Sequence, residues 1–409
     1  MKINENELQT IEKSLEREFL ELDHIAYENQ EKVLNALKKV RLASTDFNWA
    51  TGYGYGDVGR EKVEAVYADI FRTEDALVRP NMVSGTHAIS LVLRALTSHG
   101  STILSVTGAP YDTLHKVLGV AGNAPGNLKE RGVAYKELPL QVGMIDFDGI
   151  RDAITDDVDL VIMQRSTGYS DRRAFTVSEI ERAAKEIRKK YNGIIFLDNC
   201  YGGFTELIEP SQVGVDVMAG SLIKNPGGGL SLSGGYVVGS KAIVERVASE
   251  LTAPGIGKEC GLSFGQTRNT LMGLFLAPHR VNQCIKGALL FAKTFEYLGF
   301  DCIPSSKDPR SDIVQSIALK TDENLVAFCR AIQSASPVDS HVTPYPWDMP
   351  GYEDQVIMAA GGFIEGSSIE LSADGPMREP YRVYFQGGLT FDHIKITLRK
   401  VLKAMNLMD

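Results

Sequence analysis

The sequence predicts an α/β protein with a mostly parallel sheet covered by helices, followed by a smaller C-terminal α+β domain. From Ala76 onward, short apolar stretches of strand length alternate with helical stretches, which is typical of a parallel sheet with helices on both faces. After residue 280, strands and helices are mixed without this alternation. We therefore expect an N-terminal arm and glycine-rich loop (1–60), a large α/β domain (61–280) and a C-terminal domain (281–409).

The composition excludes several classes of partner. The 409 residues carry a net charge of −9, which argues against nucleic acid or an anionic membrane as the main partner. No apolar run reaches the ~18 residues that a membrane-spanning helix requires. The first residues are polar and acidic, so we expect no signal peptide. Five scattered cysteines show neither a CxxC motif nor metal-ligand spacing, which predicts free thiols, a cytoplasmic protein and no metal site.

The N-terminal arm is predicted from the helical spacing of apolar residues between positions 5 and 43, and we expect it to serve subunit packing. A stretch with four glycines, two tyrosines and a terminal arginine follows, at 51–60. Glycines free the backbone, while Tyr55 and Arg60 supply hydrogen-bond donors. The pattern favours a ligand-binding loop, although a flexible linker would also be rich in glycine.

The strands of the large domain are predicted from short apolar runs. Helices are predicted at 60–71, from the turn at 84–88 through residue 96, and at 177–191. The strands are expected at 78–83, 102–106, 133–138, 160–163, 193–197, 215–218 and 235–239.

The C-terminal part is predicted to begin with an apolar helical segment at 268–280 and a long helix at 280–299. Further strands are expected at 313–319, 365–371 and 381–386, and helices at 323–335 and 390–405. We expect a surface loop at 307–312. The proline-rich stretch 341–352 predicts either a rigid loop over a pocket or a stiff surface crossing.

Lys224 is the most informative residue, because it is the only charged residue between Val217 and Ser240 and precedes three glycines. Burial disfavours an ammonium group, so this setting suits a lysine that loses its proton and forms a Schiff base. Asp198 ends the apolar stretch 194–197. An isolated lysine and a strand-end aspartate together indicate pyridoxal phosphate (PLP). A turn-capping aspartate and a lysine at a boundary between two domains would give the same sequence pattern.

Several candidate residues follow predicted strands, and in parallel sheets ligands bind at the carboxyl ends of the strands. Ser84, Gly85 and Thr86 form a small-residue turn that opens a helix, where free N–H groups favour phosphate. The other candidates that follow strands are Tyr111, Gln164, Asp198 and Lys224. The agreement among these positions predicts one common site.

Two C-terminal arginines, Arg378 and Arg382, are candidates for binding the α-carboxylate of an amino-acid substrate. A guanidinium group can hold a carboxylate by two parallel hydrogen bonds. A surface arginine in a loop or a strand is the alternative for each.

With these residues in view, the chain resembles the fold-type I PLP enzymes of Cys/Met metabolism. More narrowly, it is similar to the methionine γ-lyase-like proteins known as aluminium resistance proteins, which are regarded as cystathionine β-lyases. This resemblance implies an aspartate aminotransferase-like fold and a C–S lyase reaction on a sulfur amino acid. The stretches that carry it are 51–60, 84–88, 164–169, 198–202, 221–228 and 369–381.

The resemblance also implies roles for residues of one chain around PLP. Lys224 corresponds to the Schiff-base lysine, which also carries protons, and Asp198 to the partner of the pyridine nitrogen. Gly85 and Thr86 correspond to the turn that binds the phosphate, and Ser221 to a phosphate-binding hydroxyl.

Three further residues match the family's cofactor contacts. Tyr111 corresponds to the aromatic ring stacked on the cofactor, which can relay protons. Tyr55 and Arg60 resemble residues that reach the phosphate from the neighbouring subunit, which implies a homodimer or homotetramer with shared active sites.

The chain departs from the γ-lyase pattern in four respects. The spacing from tyrosine to arginine in the glycine-rich loop is longer, and the carboxylate arginine of those enzymes aligns cleanly with neither Arg378 nor Arg382. Ile223 stands where those enzymes have a hydroxyl residue, and the loop that begins at Gln164 lacks their asparagine. The substrate and the reaction outcome therefore stay open between β- or γ-elimination, another PLP reaction (aldol cleavage, racemisation or transamination) and PLP binding without turnover.

Overall fold

The computed structural model of the chain describes residues 2–122, 124–349 and 354–408. The N-terminal arm consists of two helices that lie against the rest of their own chain. Leu8 packs into the C-terminal core, and Asn282 and Lys286 bond to Asp23 at 2.9 and 2.6 Å. The arm therefore folds back on its own subunit, and its expected use in subunit packing stays a prediction. The first three helices are α1 (Glu5–Lys13), α2 (Glu16–Lys39) and α3 (Val58–Ile70).

The large domain is built on a seven-stranded sheet in which one strand, Gly235–Gly239, is antiparallel to both of its neighbours. The remaining strands are parallel, as the alternation of strands and helices predicts. The strands are β1 (Asp75–Arg79), β2 (Thr102–Ser105), β3 (Ala134–Glu137), β4 (Val158–Gln164), β5 (Ile194–Asp198), β6 (Val217–Ser221) and β7 (Gly235–Gly239), in the spatial order β1-β7-β6-β5-β4-β2-β3.

Both faces of this sheet are buried. On β5, Ile195 and Leu197 enter the core on one face, whereas Phe196 enters the core on the other, because successive side chains of a strand point to opposite faces. The covering helices of this domain are α4 (Gly85–Leu96), α5 (Asp112–Leu118), α6 (Ile150–Ala153), α7 (Val177–Arg188) and α8 (Lys241–Leu251).

The C-terminal part contains a five-stranded antiparallel sheet in the order β10-β11-β12-β9-β8. One face packs on helices through a core that includes Phe291, Phe328 and Phe385. The elements are α9 (Thr267–Tyr297), β8 (Asp301–Ile303), β9 (Val314–Ala318), α10 (Asp322–Ala335), β10 (Val356–Ala360), β11 (Ser372–Pro376), β12 (Arg382–Gln386) and α11 (Phe391–Ala404).

Several details of the C-terminal part differ from the sequence prediction. The two helical segments predicted around residue 280 form the single helix α9, which continues through Pro278. No strand covers 365–371, since β11 begins only at Ser372, and the short strands β8 and β10 were not predicted. Ser311 and Asp312 are buried, so 307–312 is not simply a surface loop. The end of the predicted proline-rich loop, from residue 350, lies outside the described residues.

None of the helices in the described part of the chain is long and apolar enough to cross a membrane.

Candidate active site

The carboxyl ends of three adjacent strands place three of the predicted residues at one edge of the large sheet. Gln164 ends β4 and pairs with Asp198, which ends β5. Asp198 pairs with Ala219 on β6, two residues before the final residue Ser221. The loop after β2 joins them, because the backbone N–H of Tyr111 donates to Oε1 of Gln164 at 2.9 Å. These residues therefore lie together, as the sequence predicts.

The N-terminus of α4 closes against the same edge. Ser84 is the N-cap, and its Oγ accepts a hydrogen bond from the N–H of His87 at 3.1 Å. Gly85 is in close contact with the strand ends, since a Cβ there would lie 3.1 Å from Sγ of Cys200 and 3.3 Å from Cβ of Ser221. The first N–H groups of a helix have no partner within it, so this end of α4 can bind an anion.

Tyr111 lies beside this helix end, and its hydroxyl donates to Oγ1 of Thr86 at 2.8 Å. Burial raises the pKa of Tyr111, and the nearby Asp198 raises it further. The phenol therefore holds its proton at neutral pH and is available as a proton donor.

Asp198 is a buried carboxylate whose Oδ1 accepts a hydrogen bond from the N–H of Cys200 at 2.9 Å. Burial raises the pKa of Asp198, against the opposing effects of Cys200 and Lys224. A cationic group bound beside it would offset the cost of burying this charge.

Lys224 follows β6 in a turn that only glycine permits, because a Cβ on Gly227 would lie 1.6 Å from the carbonyl oxygen of Leu222. The Nζ of Lys224 donates to Oγ of Ser368 at 2.9 Å and lies 3.7 Å from the ring centroid of Tyr201. The Tyr201 and Ser368 hydroxyls are 3.2 Å apart, so the three side chains form one cluster.

The charge state of Lys224 corrects the sequence prediction. Burial does oppose the ammonium form, but Tyr201, Cys200 and Asp198 together outweigh it and raise the pKa of Lys224. Without cofactor, the amine is therefore held in its ammonium form, and burial alone does not deprotonate it.

Sequence reasoning assigned no role to four residues of this region, which are Tyr201, Ser368, Tyr169 and Asp374. The hydroxyl of Tyr169 donates to Oδ1 of Asp374 at 2.6 Å, and its ring lies 4.8 Å from that of Tyr384. Burial raises the pKa of Asp374 to about 6. Three of the four lie within stretches that carry the family resemblance, which was the available signal, whereas Ser368 lies just outside them.

The two candidate arginines occupy different environments. The Arg378 side chain is 56% exposed and pairs with Asp354 at 2.9 Å. Arg382 is buried on β12, where Nη2 bonds to Asp301 at 2.8 Å and Nε lies 2.9 Å from Oδ1 of Asp171. That Nε makes no well-aligned hydrogen bond, and the Asp171 side chain is 69% exposed. Arg382 is therefore the better placed of the two to accept a substrate carboxylate.

The glycine-rich loop does not join this cluster within one chain. The Arg60 guanidinium is buried and bonds to the carbonyl oxygens of Gly54, Glu259 and Gly261 at 2.9, 3.2 and 2.6 Å. Tyr55 is 66% exposed. Arg60 thus holds the loop in its own chain, and the roles of both residues at a neighbour's phosphate stay predictions.

No group of three or more His, Cys, Asp or Glu side chains within 2–122, 124–349 and 354–408 could hold a metal ion.

Comparison with known proteins shows the same architecture in close relatives. The chain matches the methionine gamma-lyase family over residues 4–406. It is 48% identical over 380 residues to the YnbB protein of Bacillus subtilis strain 168, which covers 92% of this chain and 90% of that protein.

Two crystal structures are also similar. A carbon–sulfur lyase involved in aluminium resistance from Clostridium novyi NT is 46% identical, with a TM-score of 0.93 over 97% of this chain and 94% of that chain. A candidate cystathionine beta-lyase involved in aluminium resistance from Listeria monocytogenes is 45% identical, with a TM-score of 0.95 over 97% of this chain and 99% of that chain.

Proposed function

Because this chain belongs to the methionine gamma-lyase family, it is a PLP-dependent carbon–sulfur lyase with the aspartate aminotransferase-like fold, and we propose that it eliminates a thiol from a sulfur amino acid. The observation that supports the proposal most is the convergence of Lys224, Asp198 and the N-terminus of α4 at one edge of the sheet. The solved relatives named for C–S lyase chemistry favour a substrate such as cystathionine.

The residues at this edge fit PLP. The first N–H groups of α4 and the hydroxyl of Ser221 can hold the phosphate, since Ser221 Oγ accepts from the N–H of Ile223 at 3.2 Å and keeps its own proton to donate. Asp198 supplies a buried carboxylate for the pyridinium nitrogen, and Lys224 supplies the amine. When bound, the cofactor withdraws electrons from the substrate α-carbon.

We assign proton transfer at the α-carbon to Lys224. As a neutral amine, the Nζ of Lys224 can accept the α-proton, and Tyr201, Cys200 and Asp198 stabilise the ammonium form that results. Ser368 accepts a hydrogen bond from the same Nζ and fixes its position.

Departure of the sulfur requires a proton, because a thiol leaves more easily than a thiolate. Tyr111 stays protonated at neutral pH, and Thr86 orients its hydroxyl. We propose that Tyr111 or the protonated Lys224 donates this proton.

Arg382 is our candidate for the α-carboxylate, with Asp171 as the group that the substrate displaces. Asp171 contacts Arg382 only at Nε, without a well-aligned hydrogen bond, so a substrate carboxylate can replace it, whereas Asp301 and Ser316 keep their hydrogen bonds to Nη2 and Nη1. A buried guanidinium that retains these partners is already oriented for a carboxylate.

We further propose that the enzyme works in the cytoplasm as a homodimer or homotetramer. Five cysteines without disulfides fit a reducing compartment. The exposed aromatic side chains of Trp49, Tyr53 and Tyr55 around the glycine-rich loop fit a subunit interface.

The test is a panel of L-amino acids assayed for keto acid, thiol and ammonia. Elimination from L-cystathionine at Cβ yields pyruvate and homocysteine, whereas elimination at Cγ yields 2-oxobutyrate and cysteine, so the keto acid identifies the bond that breaks. Racemisation, transamination or aldol cleavage without thiol release, or PLP binding without turnover, would contradict the proposal.

A further inference from the structure

Asp374 is a buried carboxylate that the reaction steps above leave unused. It is 7% exposed, and its two oxygens accept hydrogen bonds from the Tyr169 hydroxyl at 2.6 Å and from Nε2 of Gln386 at 3.3 Å. No lysine, arginine or histidine of the part of the chain that the structure describes lies within ion-pair distance of it. Two neutral donors therefore bind this carboxylate, and no direct ion pair among the described residues neutralises it.

The position of Asp374 directs it toward the active site. Asp374 on β11 lies opposite Tyr384 on the neighbouring strand β12, and Arg382 precedes Tyr384 by two residues on β12. The three side chains therefore share the face of the sheet that lies away from the phenylalanine core. The charge of Lys224 acts on Asp374 and partly offsets the effect of burial on its pKa.

The loop that carries Tyr169 links Asp374 to the cofactor-binding residues. Gly168 precedes Tyr169 and packs beside Tyr111 and Gln164, since a Cβ at Gly168 would lie 3.5 Å from Cβ of Tyr111 and 3.3 Å from Nε2 of Gln164. The Tyr169 hydroxyl therefore connects Asp374 to the loop that packs beside Tyr111 and Gln164.

A buried carboxylate without a counter-ion costs free energy unless a cation approaches it. In the proposed binding mode, the α-amine of a bound substrate lies at the Lys224 position, and the α-carboxylate binds Arg382. The remaining charged part of a substrate is the group attached to the leaving sulfur, which is the part that Asp374 is free to bind.

We propose that Asp374 determines specificity by binding an ammonium group on the leaving-thiol side of the substrate, so that diamino sulfur compounds such as cystathionine or cystine are preferred over neutral thioethers. This inference rests on the proposed function and names its substrate class. Tyr169 is a positioning residue, which holds the carboxylate through its hydroxyl.

The direct test compares binding of L-ornithine and L-norvaline to the PLP-loaded enzyme. They have the same carbon chain, lack a C–S bond, and differ in the distal ammonium group. Binding is followed by the change in visible absorption of the cofactor. Asp374→Asn should weaken ornithine binding on the order of 10- to 100-fold, the range for losing a hydrogen bond to a charged group, and change norvaline binding less than about threefold.

Tyr169→Phe is the matched control, because it keeps the carboxylate and removes one hydrogen bond to it. It should preserve most of the preference for ornithine. Equal losses for both ligands in Asp374→Asn, no loss for either, or a loss in Tyr169→Phe as large as in Asp374→Asn would overturn the inference.

Turnover separates this inference from the proposed function. In Asp374→Asn, kcat/KM for L-cystathionine should fall on the order of 10- to 100-fold, whereas that for S-ethyl-L-cysteine should change little. If the unmodified enzyme did not release keto acid from any sulfur amino acid, the proposed function would be wrong. The ornithine measurement would still test the role of Asp374.

Discussion

The Nζ of Lys224 donates a 2.9 Å hydrogen bond to Oγ of Ser368, a residue 144 positions further along the chain. Ser368 lies in the segment before β11, so the C-terminal part of the chain fixes the amine that the large domain supplies. This contact joins the two parts of the chain at the amine that we propose as the proton carrier.

Ser368→Ala should therefore lower kcat about 10-fold, since a hydrogen bond to a charged group contributes roughly 1.5–3 kcal/mol and here orients the proton carrier. The measurement is keto-acid release under saturating substrate. Ser367→Ala is the matched control, because Ser367 Oγ is buried without a hydrogen-bond partner in the described structure. Equal losses in the two variants would show that the segment's packing, and not the contact with Lys224, is responsible.

Asp198→Asn should bind PLP at least 10-fold more weakly, because it removes the charge that we assign to the pyridinium nitrogen. Without cofactor, the variant should be more stable than the unmodified protein at pH 8, by about 1–3 kcal/mol. The sign follows from the raised pKa of Asp198. A carboxyl with a raised folded-state pKa contributes stability at low pH that is lost as the pH rises through that pKa.

Asn does not titrate, so this stability gain should vanish toward pH 4. Thermal unfolding of the apoprotein across pH, together with PLP retention after gel filtration, provides the check. A variant less stable than the unmodified protein at pH 8 would contradict a net cost of burying the Asp198 carboxylate.

Arg382→Lys should lower kcat/KM for amino acids on the order of 10- to 100-fold, because lysine cannot form two parallel bonds to a carboxylate. Arg378→Lys is the control and should change kcat/KM less than about threefold, since Arg378 is exposed and pairs with Asp354. Steady-state kinetics of both variants shows which arginine binds the substrate carboxylate. A larger effect at Arg378 would move the carboxylate site to that residue.

Tyr55→Phe should weaken PLP retention several-fold if Tyr55 reaches the phosphate of a neighbouring subunit. Tyr53→Phe provides the control, because Tyr53 is similarly exposed in the same loop. Light scattering reports assembly, and dialysis followed by absorbance reports retention. A monomeric protein with full PLP occupancy, or equal behaviour of the two variants, would contradict a shared site.

The sequence predicted the part of the site that depends on local pattern. Parallel strands end at a common edge, so apolar runs followed by Gln164, Asp198 and Ser221 were enough to bring these residues together. The glycines after Lys224 likewise predicted a tight turn.

The remaining residues could not be found in this way, because their positions depend on contacts between distant segments. Tyr169 and Asp374 are 205 residues apart. The apolar residues at 365–371 predicted a strand, and Ile369 and Leu371 are indeed buried. The chain there is irregular instead, and it places Ser368 in contact with Lys224. The raised pKa of Lys224 also depends on tertiary neighbours, since the sequence indicated burial but not the opposing effect of Tyr201, Cys200 and Asp198.

The identity of the cofactor lysine is tested most directly by borohydride reduction of the PLP-loaded enzyme, proteolysis and mass spectrometry. We predict a phosphopyridoxyl group on the peptide that contains Lys224, and no labelled peptide in Lys224→Ala, whose turnover should fall at least 100-fold. A label on a different lysine of the unmodified enzyme, with the Lys224 peptide unlabelled, would contradict the assignment of this site.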